Sequence, residues 1–296
     1  MQVFVTGAAG WIGSAIVPIL LGAGHTVLGL ARNDANAEAL ERAGAQVYRG
    51  DLTDPDGLAA AAKASDGVIH TAFVHDFSQF AANIETDRKA VEAMIGALAG
   101  SDKPIVIASG TMMTALGQTL GRTATEADGP PGREGRAVAE FMVRETPGIR
   151  GSAVRLPPTV HGRGDHGFVP RLVEAAREKG AAVYIGDGQN RWPAVHRNDA
   201  ARVFCLALEK APPGASLHAV AEEGVTMKAI AEAIGAGLGV PAKSVTAEEA
   251  AGYIGFLAMF AGVDNPTSSA LTQSSLGWRA EGPDLLTDLK EGGYFS

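Results

Sequence analysis

Two apolar rhythms alternate through the first half of the chain. Short runs rich in β-branched residues at 2–6, 26–31, 46–49, 67–72, 105–108 and 151–155 predict strands. Segments 11–21, 35–43, 58–64, 80–99 and 135–144 space their apolar residues for one helical face. Regular strand–helix alternation implies βαβ units and a parallel, doubly wound α/β sheet. After Arg155 the rhythm loosens. Pro157, Pro158, Gly162, Gly164 and Gly167 mark irregular chain. Helices are then expected at 168–179, up to Lys210 with Asn198 or Asp199 as its cap, and at 227–238, with a strand at 217–220. The expected division is a nucleotide-binding domain over 1–160 and a smaller substrate lobe over 161–296. Residues 193–220 are expected to pack back on the first domain.

The length of 296 residues is ample for a large core. A formal net charge of -8 argues against nucleic acid as a partner, while leaving room for a local basic pocket. The single cysteine, Cys205, permits no disulfide framework within one chain and reads as a small core hydrophobe. The N-terminus has no basic region before its first strand pattern, and the apolar stretch 254–263 is too short to cross a bilayer. The expectation is a cytoplasmic protein that takes a small-molecule substrate and has no membrane partner.

Thr6-Gly7-Ala8-Ala9-Gly10-Trp11-Ile12-Gly13 joins the first predicted strand to the first helix. Gly7 permits a tight turn, Gly10 lets the backbone approach a pyrophosphate, and Gly13 lets the helix pack close to the sheet. The helix start offers free N–H groups and a positive dipole end. Gly7, Ala9, Gly10, Trp11, Ile12 and Gly13 therefore form a candidate phosphate cradle in a Rossmann domain. The Gly-x-x-Gly-x-x-Gly spacing resembles that of the extended and atypical short-chain dehydrogenase/reductases, the relatives of the NAD-dependent epimerases and dehydratases. The resemblance includes 50–54 after the third strand, 68–72 on the fourth, 155–162 after the sixth and 192–201 toward the lobe. It implies that Asp51 and Leu52 flank the adenine. It also implies that Thr71, Ala72 and Phe73 run beneath the cofactor, and that Pro157, Pro158 and Thr159 orient the nicotinamide amide. Relatives often form dimers.

The second strand ends Leu30-Ala31-Arg32-Asn33-Asp34. Where NAD-binding relatives carry a carboxylate, this chain has Ala31, and Arg32 beside it suits a 2′-phosphate. NADP(H) is expected over NAD, with Asp34 as the competing charge.

The resemblance also exposes a gap. Family chemistry uses a Tyr proton donor and a Lys four residues later. Those positions here are Arg136 and Glu140, and neither Tyr nor Lys occurs between Pro104 and Glu178. Asp87 replaces the family's helical Asn, while Ser109 stands at the position of the family's Ser. Ser109 or Thr111 is expected to polarise an acceptor, and His161 or His166 to supply the proton. Arg136 reads as a holder of the ribose or of an oxyanion. No metal constellation stands out. The cluster Tyr253, Phe256, Leu257, Met259 and Phe260 reads as core, a subunit contact or an apolar pocket wall. The expected function is NADP(H)-dependent reduction of a small carbonyl or related unsaturated compound. The alternatives are an NADP(H)-binding regulator without turnover and, further off, a sugar epimerase or dehydratase.

Overall fold

The structure is a computed structural model that describes residues 1–74, 79–116 and 120–296. β1 (Gln2–Thr6), α1 (Gly13–Gly22), β2 (Thr26–Ala31), α2 (Asp34–Arg42) and β3 (Gln46–Arg49) open the chain. α3 (Pro55–Ala64), β4 (Gly67–His70), α4 (Phe80–Leu98) and β5 (Pro104–Gly110) follow. Next come α5 (Met112–Ala115), α6 (Ala137–Glu145) and β6 (Arg150–Leu156). Then come β7 (Thr159–His161), α7 (Phe168–Lys179), β8 (Ala182–Ile185), β9 (Arg191–His196) and α8 (Arg197–Lys210). The chain closes with β10 (Ala215–His218), β11 (Glu222–Thr226), α9 (Met227–Leu238), β12 (Ala242–Val245), α10 (Ala247–Ile254), α11 (Ala258–Ala261), α12 (Ala270–Leu276) and α13 (Leu285–Glu291).

Seven strands form one sheet in the order β10-β6-β5-β4-β1-β2-β3, and every pairing in it is parallel. This is the doubly wound sheet that the alternating rhythms predict. The central strands are apolar on both faces because helices cover both; β4 is buried at every position. Each fully buried Val, Ile or Leu there contributes about 1.5–3 kcal/mol. The strand order reverses between β4 and β1. Ligands of open α/β sheets bind in the crevice beyond the strand ends at such a reversal.

Helix α8 and strand β10 return to this sheet. Ala200, Phe204, Leu208 and Leu217 share a core with Ile16 and Leu20 of α1. A second core, centred on Trp192, Leu172, Ile230 and Leu285, belongs to the lobe. Two short sheets, β11-β9-β7 and β12-β8, frame it. No strand is expected there from the sequence, since these segments fall where the strand–helix alternation has lapsed.

Three local expectations are corrected. α1 begins at Gly13 rather than Trp11, since residues 7–12 form the turn itself. α8 is capped by His196, whose ring accepts the Asn198 amide; neither Asn198 nor Asp199 caps it. Asp199 instead accepts the amides of Glu281 and Gly282, which ties the C-terminal segment to α8. The late strand spans Ala215–His218 rather than 217–220, set by its pairing with β6.

The turn after β1 tolerates no side chain at Gly13. A Cβ there would stand 2.1 Å from the Gly7 carbonyl oxygen, and both atoms belong to backbone. At Gly22, near the end of the same helix, a Cβ meets nothing within 4 Å. Gly13→Ala is therefore expected to cost about 3 kcal/mol or more. Gly22→Ala should be neutral or stabilising by up to about 1 kcal/mol. Urea unfolding of the two variants checks this; equal losses would contradict the turn geometry.

Candidate active site

The glycine turn is held from below and open above. Gly7 has φ +67°, and a Cβ on it would strike the Ala72 backbone nitrogen at 2.7 Å. Gly7 is thus required both by its conformation and by the chain leaving β4. Gly10 is exposed, and no side chain caps α1. The first N–H groups of a helix have no intrahelical acceptor, so this end is built to receive an anion. The Trp11 indole turns away toward the lobe. Its Nε1–H donates to the Val160 carbonyl at 2.9 Å, and Arg197 lies over its ring at 4.4 Å. Only the backbone of Trp11 therefore faces the cradle. Ala9 and Ile12 pack on the core beneath.

The ends of β1 and β4 are stapled by buried polar groups. Thr6 Oγ1 and His70 Nδ1 lie 2.7 Å apart, and His70 Nε2 lies 3.1 Å from Asp87 Oδ1. The Thr71 hydroxyl donates to the Thr6 carbonyl, and the Ala72 amide donates to Thr6 Oγ1. Asp87 is thus committed to His70. Residues 71–73 are fixed across the crevice floor.

Glu140 organises the neighbouring wall. The Ser109 hydroxyl donates to Glu140 Oε2 at 2.5 Å. Arg155, wholly buried on β6, donates through Nε and Nη2 to the same carboxylate, and Arg144 adds a contact at 3.3 Å. Burial by itself raises the pKa of Glu140. Arg155, Ser109 and Arg144 outweigh it and hold the carboxyl below its ordinary value. Glu140 is therefore an ionised structural group. It does not take over the role that a lysine plays at this position in relatives. Ser109 spends its proton on Glu140, so its expected role of polarising an acceptor is corrected.

One residue past β5, Thr111 is differently placed. Its Oγ1 accepts from Asn265 Nδ2 at 2.8 Å, leaving its own O–H proton to donate. Asn265 comes from the lobe, 154 residues away, and nothing local in the sequence announces it. Arg136 stands just before α6, one turn above Glu140. Its guanidinium lies over the Phe73 ring, 3.7 Å from the centroid. Burial lowers its pKa, and the charge of Asp87 opposes that.

At the adenosine end, Arg32 is exposed beyond β2 and has no ion-pair partner among the described residues. Asp34 is exposed but paired: Arg49 Nη1 lies 2.8 Å from its Oδ1. Arg49 reaches it because Ala31 and Arg49 are partners in the β2–β3 register. The exposed Asp51 accepts the Thr53 amide and hydroxyl, and Leu52 packs on the core below.

The two candidate histidines do not join this cluster. His161 is fully buried in the lobe interface, 2.9 Å from Asp288 through Nδ1. Burial pushes its pKa down, so it is a neutral imidazole whose N–H is already held by Asp288. It has no proton to give a substrate, and its expected role as donor is corrected. His166 is exposed and sits edge-on to the Trp11 ring at 5.5 Å. Pro157 and Pro158 follow β6. The Thr159 hydroxyl is taken by the Pro193 carbonyl. Leu257 is lobe core, and Phe260 stacks on Phe168 at 5.6 Å; Met259 alone of that apolar cluster is largely exposed. Burial pushes the Cys205 thiol up to about 12, which leaves it inert. Among the described residues no group of three His, Cys, Asp or Glu is placed to hold a metal, and no helix is long and apolar enough to cross a membrane.

A parallel sheet with an order reversal, an uncapped glycine turn beside it and side chains gathered at the strand ends define a Rossmann-type nucleotide-binding protein. The chain belongs to the NAD dependent epimerase/dehydratase family, whose model matches residues 3–219. It is 48% identical over 295 residues to an uncharacterised protein of Schizosaccharomyces pombe, with 100% of both chains covered. It is 31% identical to the 2-alkyl-3-oxoalkanoate reductase of Stenotrophomonas maltophilia over 73% of this chain and 68% of that one. Its fold resembles that of DesIV, a dTDP-glucose 4,6-dehydratase from Streptomyces venezuelae solved with NAD (TM-score 0.74, 19% identity, 100% and 97% of the chains).

Removing Glu140 alone leaves Arg155 buried without a counter-charge. Glu140→Ala is expected to cost about 3–5 kcal/mol, and the paired change Glu140→Met with Arg155→Met markedly less. The folded-state pKa of Glu140 is depressed. Its contribution is therefore present above the ordinary carboxylate range and lost as pH falls through the depressed value. The stability gap between the native chain and Glu140→Ala should narrow on acidification. Denaturant unfolding across that range checks it, and a gap that widens would contradict the ionised pair.

Proposed function

We propose that this chain is an NADP(H)-dependent reductase of a small carbonyl compound. The observation that carries the reading lies at the end of β2: among the described residues Arg32 has no ion-pair partner, and Asp34, two residues on, is paired with Arg49. A 2′-phosphate there meets positive charge without an opposing carboxylate. The cradle fits a dinucleotide. The turn at Gly7 and Gly13 leaves no room for a Cβ, and the exposed Gly10 backbone leaves room for a pyrophosphate.

When bound, the nicotinamide supplies the hydride. Thr111, held by Asn265, donates its hydroxyl proton toward an acceptor oxygen. Protonation of the product oxygen falls to water, because Arg136 stays charged and His161 is buried and neutral. Ser109, Glu140 and Arg155 hold the β5 end in place and exclude water from beneath it. Kinship with a 3-oxoalkanoate reductase supports a carbonyl acceptor.

A second reading, an NADP(H)-binding regulator without turnover, is favoured by one observation: the position of the family's lysine is locked into an ion pair. An epimerase or dehydratase would need the acid–base pair that Arg136 and Glu140 replace. Fluorescence titration with NADPH and NADH, followed by NADPH consumption over ketones, enones and imines, separates these readings. Arg32→Ala should weaken NADPH about tenfold or more and leave NADH unchanged. Equal losses for both cofactors would contradict NADP selection. Tight NADPH binding without consumption of any acceptor would favour the regulator.

A further inference from the structure

Arg136 is unusual in what it lacks. A guanidinium carries five N–H donors. Among the described residues, none of them meets a carboxylate, carbonyl or hydroxyl. Asp87, whose charge Arg136 feels, is taken by His70 and makes no direct contact with the guanidinium. The other arginines of this wall each meet a carboxylate and a carbonyl. Arg155 contacts Glu140 and the Asp128 carbonyl, and Arg144 contacts Glu140 and the Gly214 carbonyl.

Arg136 is nevertheless held in place. It is half-buried, and its flat face rests on Phe73. Stacking of this kind uses the face of the guanidinium and leaves its edge free. The edge matches the two oxygens of a carboxylate. An immobilised, partly desolvated cation without a partner is costly to keep. It is best explained as one half of an ion pair whose other half arrives with a ligand.

Topology places that edge at the reacting end of the sheet. A crossover helix runs antiparallel to the strands it joins, so the start of α6 lies beside their C-terminal ends. One turn lower, about 6 Å along the helix, Glu140 meets Ser109 near the end of β5. Arg136 therefore stands level with the chain just beyond β5, where Thr111 lies. The neighbouring surface is apolar. Phe73 contacts Phe80 edge-on at 6.2 Å, and both Val74 and Phe80 are partly exposed.

We infer that Arg136 is an anion receptor that selects substrates carrying a carboxylate on an alkyl body, with the reducible carbonyl close to it, as in a short 3-oxo acid. This rests on the reductase reading for the carbonyl and on Arg136 for the acid. Binding alone separates the two. The protein saturated with NADP+ is titrated calorimetrically with 3-hydroxyhexanoate and with its methyl ester, for the native chain, Arg136→Lys and Arg136→Gln. The expected result is that the acid binds the native protein about tenfold or more tighter than the ester. Arg136→Gln should abolish the difference, and Arg136→Lys, which keeps the charge without the fork, should restore part of it. NADPH affinity of Arg136→Gln should stay within about twofold of native. Equal binding of acid and ester to the native chain, or no binding of the acid, overturns the assignment. So does a loss of NADPH affinity in Arg136→Gln that matches the loss of acid binding, which would place Arg136 on the cofactor. Arg136-dependent binding of the acid, with no NADPH consumed when 3-oxohexanoate is supplied instead, upholds the receptor and contradicts the reductase reading.

Discussion

Glu140 gathers two arginines and a serine on one carboxylate, and the wall of the crevice depends on it. Ser109 belongs to the end of β5, Glu140 to α6 and Arg155 to β6. Arg155 also reaches the Asp128 carbonyl in the loop before α6, and its Nη1 lies 3.3 Å from His218 on β10. One buried charge cluster therefore joins three strands, a helix and a loop. A carboxylate so placed is too expensive to leave unpaired and too well paired to move.

That commitment decides what chemistry remains. The position that carries the family's lysine has become part of the scaffold, and the position of its tyrosine has become a cation that keeps its proton. Hydride transfer does not require either group, since the cofactor supplies the reducing equivalents. For the proposed reduction, what must be replaced is the group that polarises the acceptor. Thr111 has a proton left to donate and a partner that orients it; Ser109 is oriented too, but its proton goes to Glu140. On the proposed reading, the crevice offers an oxyanion or an acid the Thr111 hydroxyl and the Arg136 guanidinium.

The Rossmann half was legible because its strands are buried on both faces and its helices on one, so hydrophobic period alone separates them. The glycine turn was legible because its constraint is local: Gly7, Gly10 and Gly13 are required by atoms within a few residues or by the next strand over. The rest was hidden by distance along the chain. Asp34 read as a competing charge because its neutralising partner, Arg49, is next to it only in the β2–β3 register. Glu140 read as wrong chemistry because Arg155 meets it only in the folded sheet. His161 read as a donor from its place after the proline loop, but its Nδ1 is held by Asp288, 127 residues later. The lobe strands lie outside the regular strand–helix alternation, and the pairing of β9 with both β7 and β11 becomes visible only in three dimensions.

The central claim is that Glu140 stays with Arg155 and Ser109 when the nucleotide is present. A crystal structure of the complex with NADPH tests it most directly. The account predicts Glu140 within hydrogen-bond distance of both partners, turned away from the nicotinamide ribose. A Glu140 side chain rotated onto the ribose hydroxyls, with Arg155 released, would contradict it.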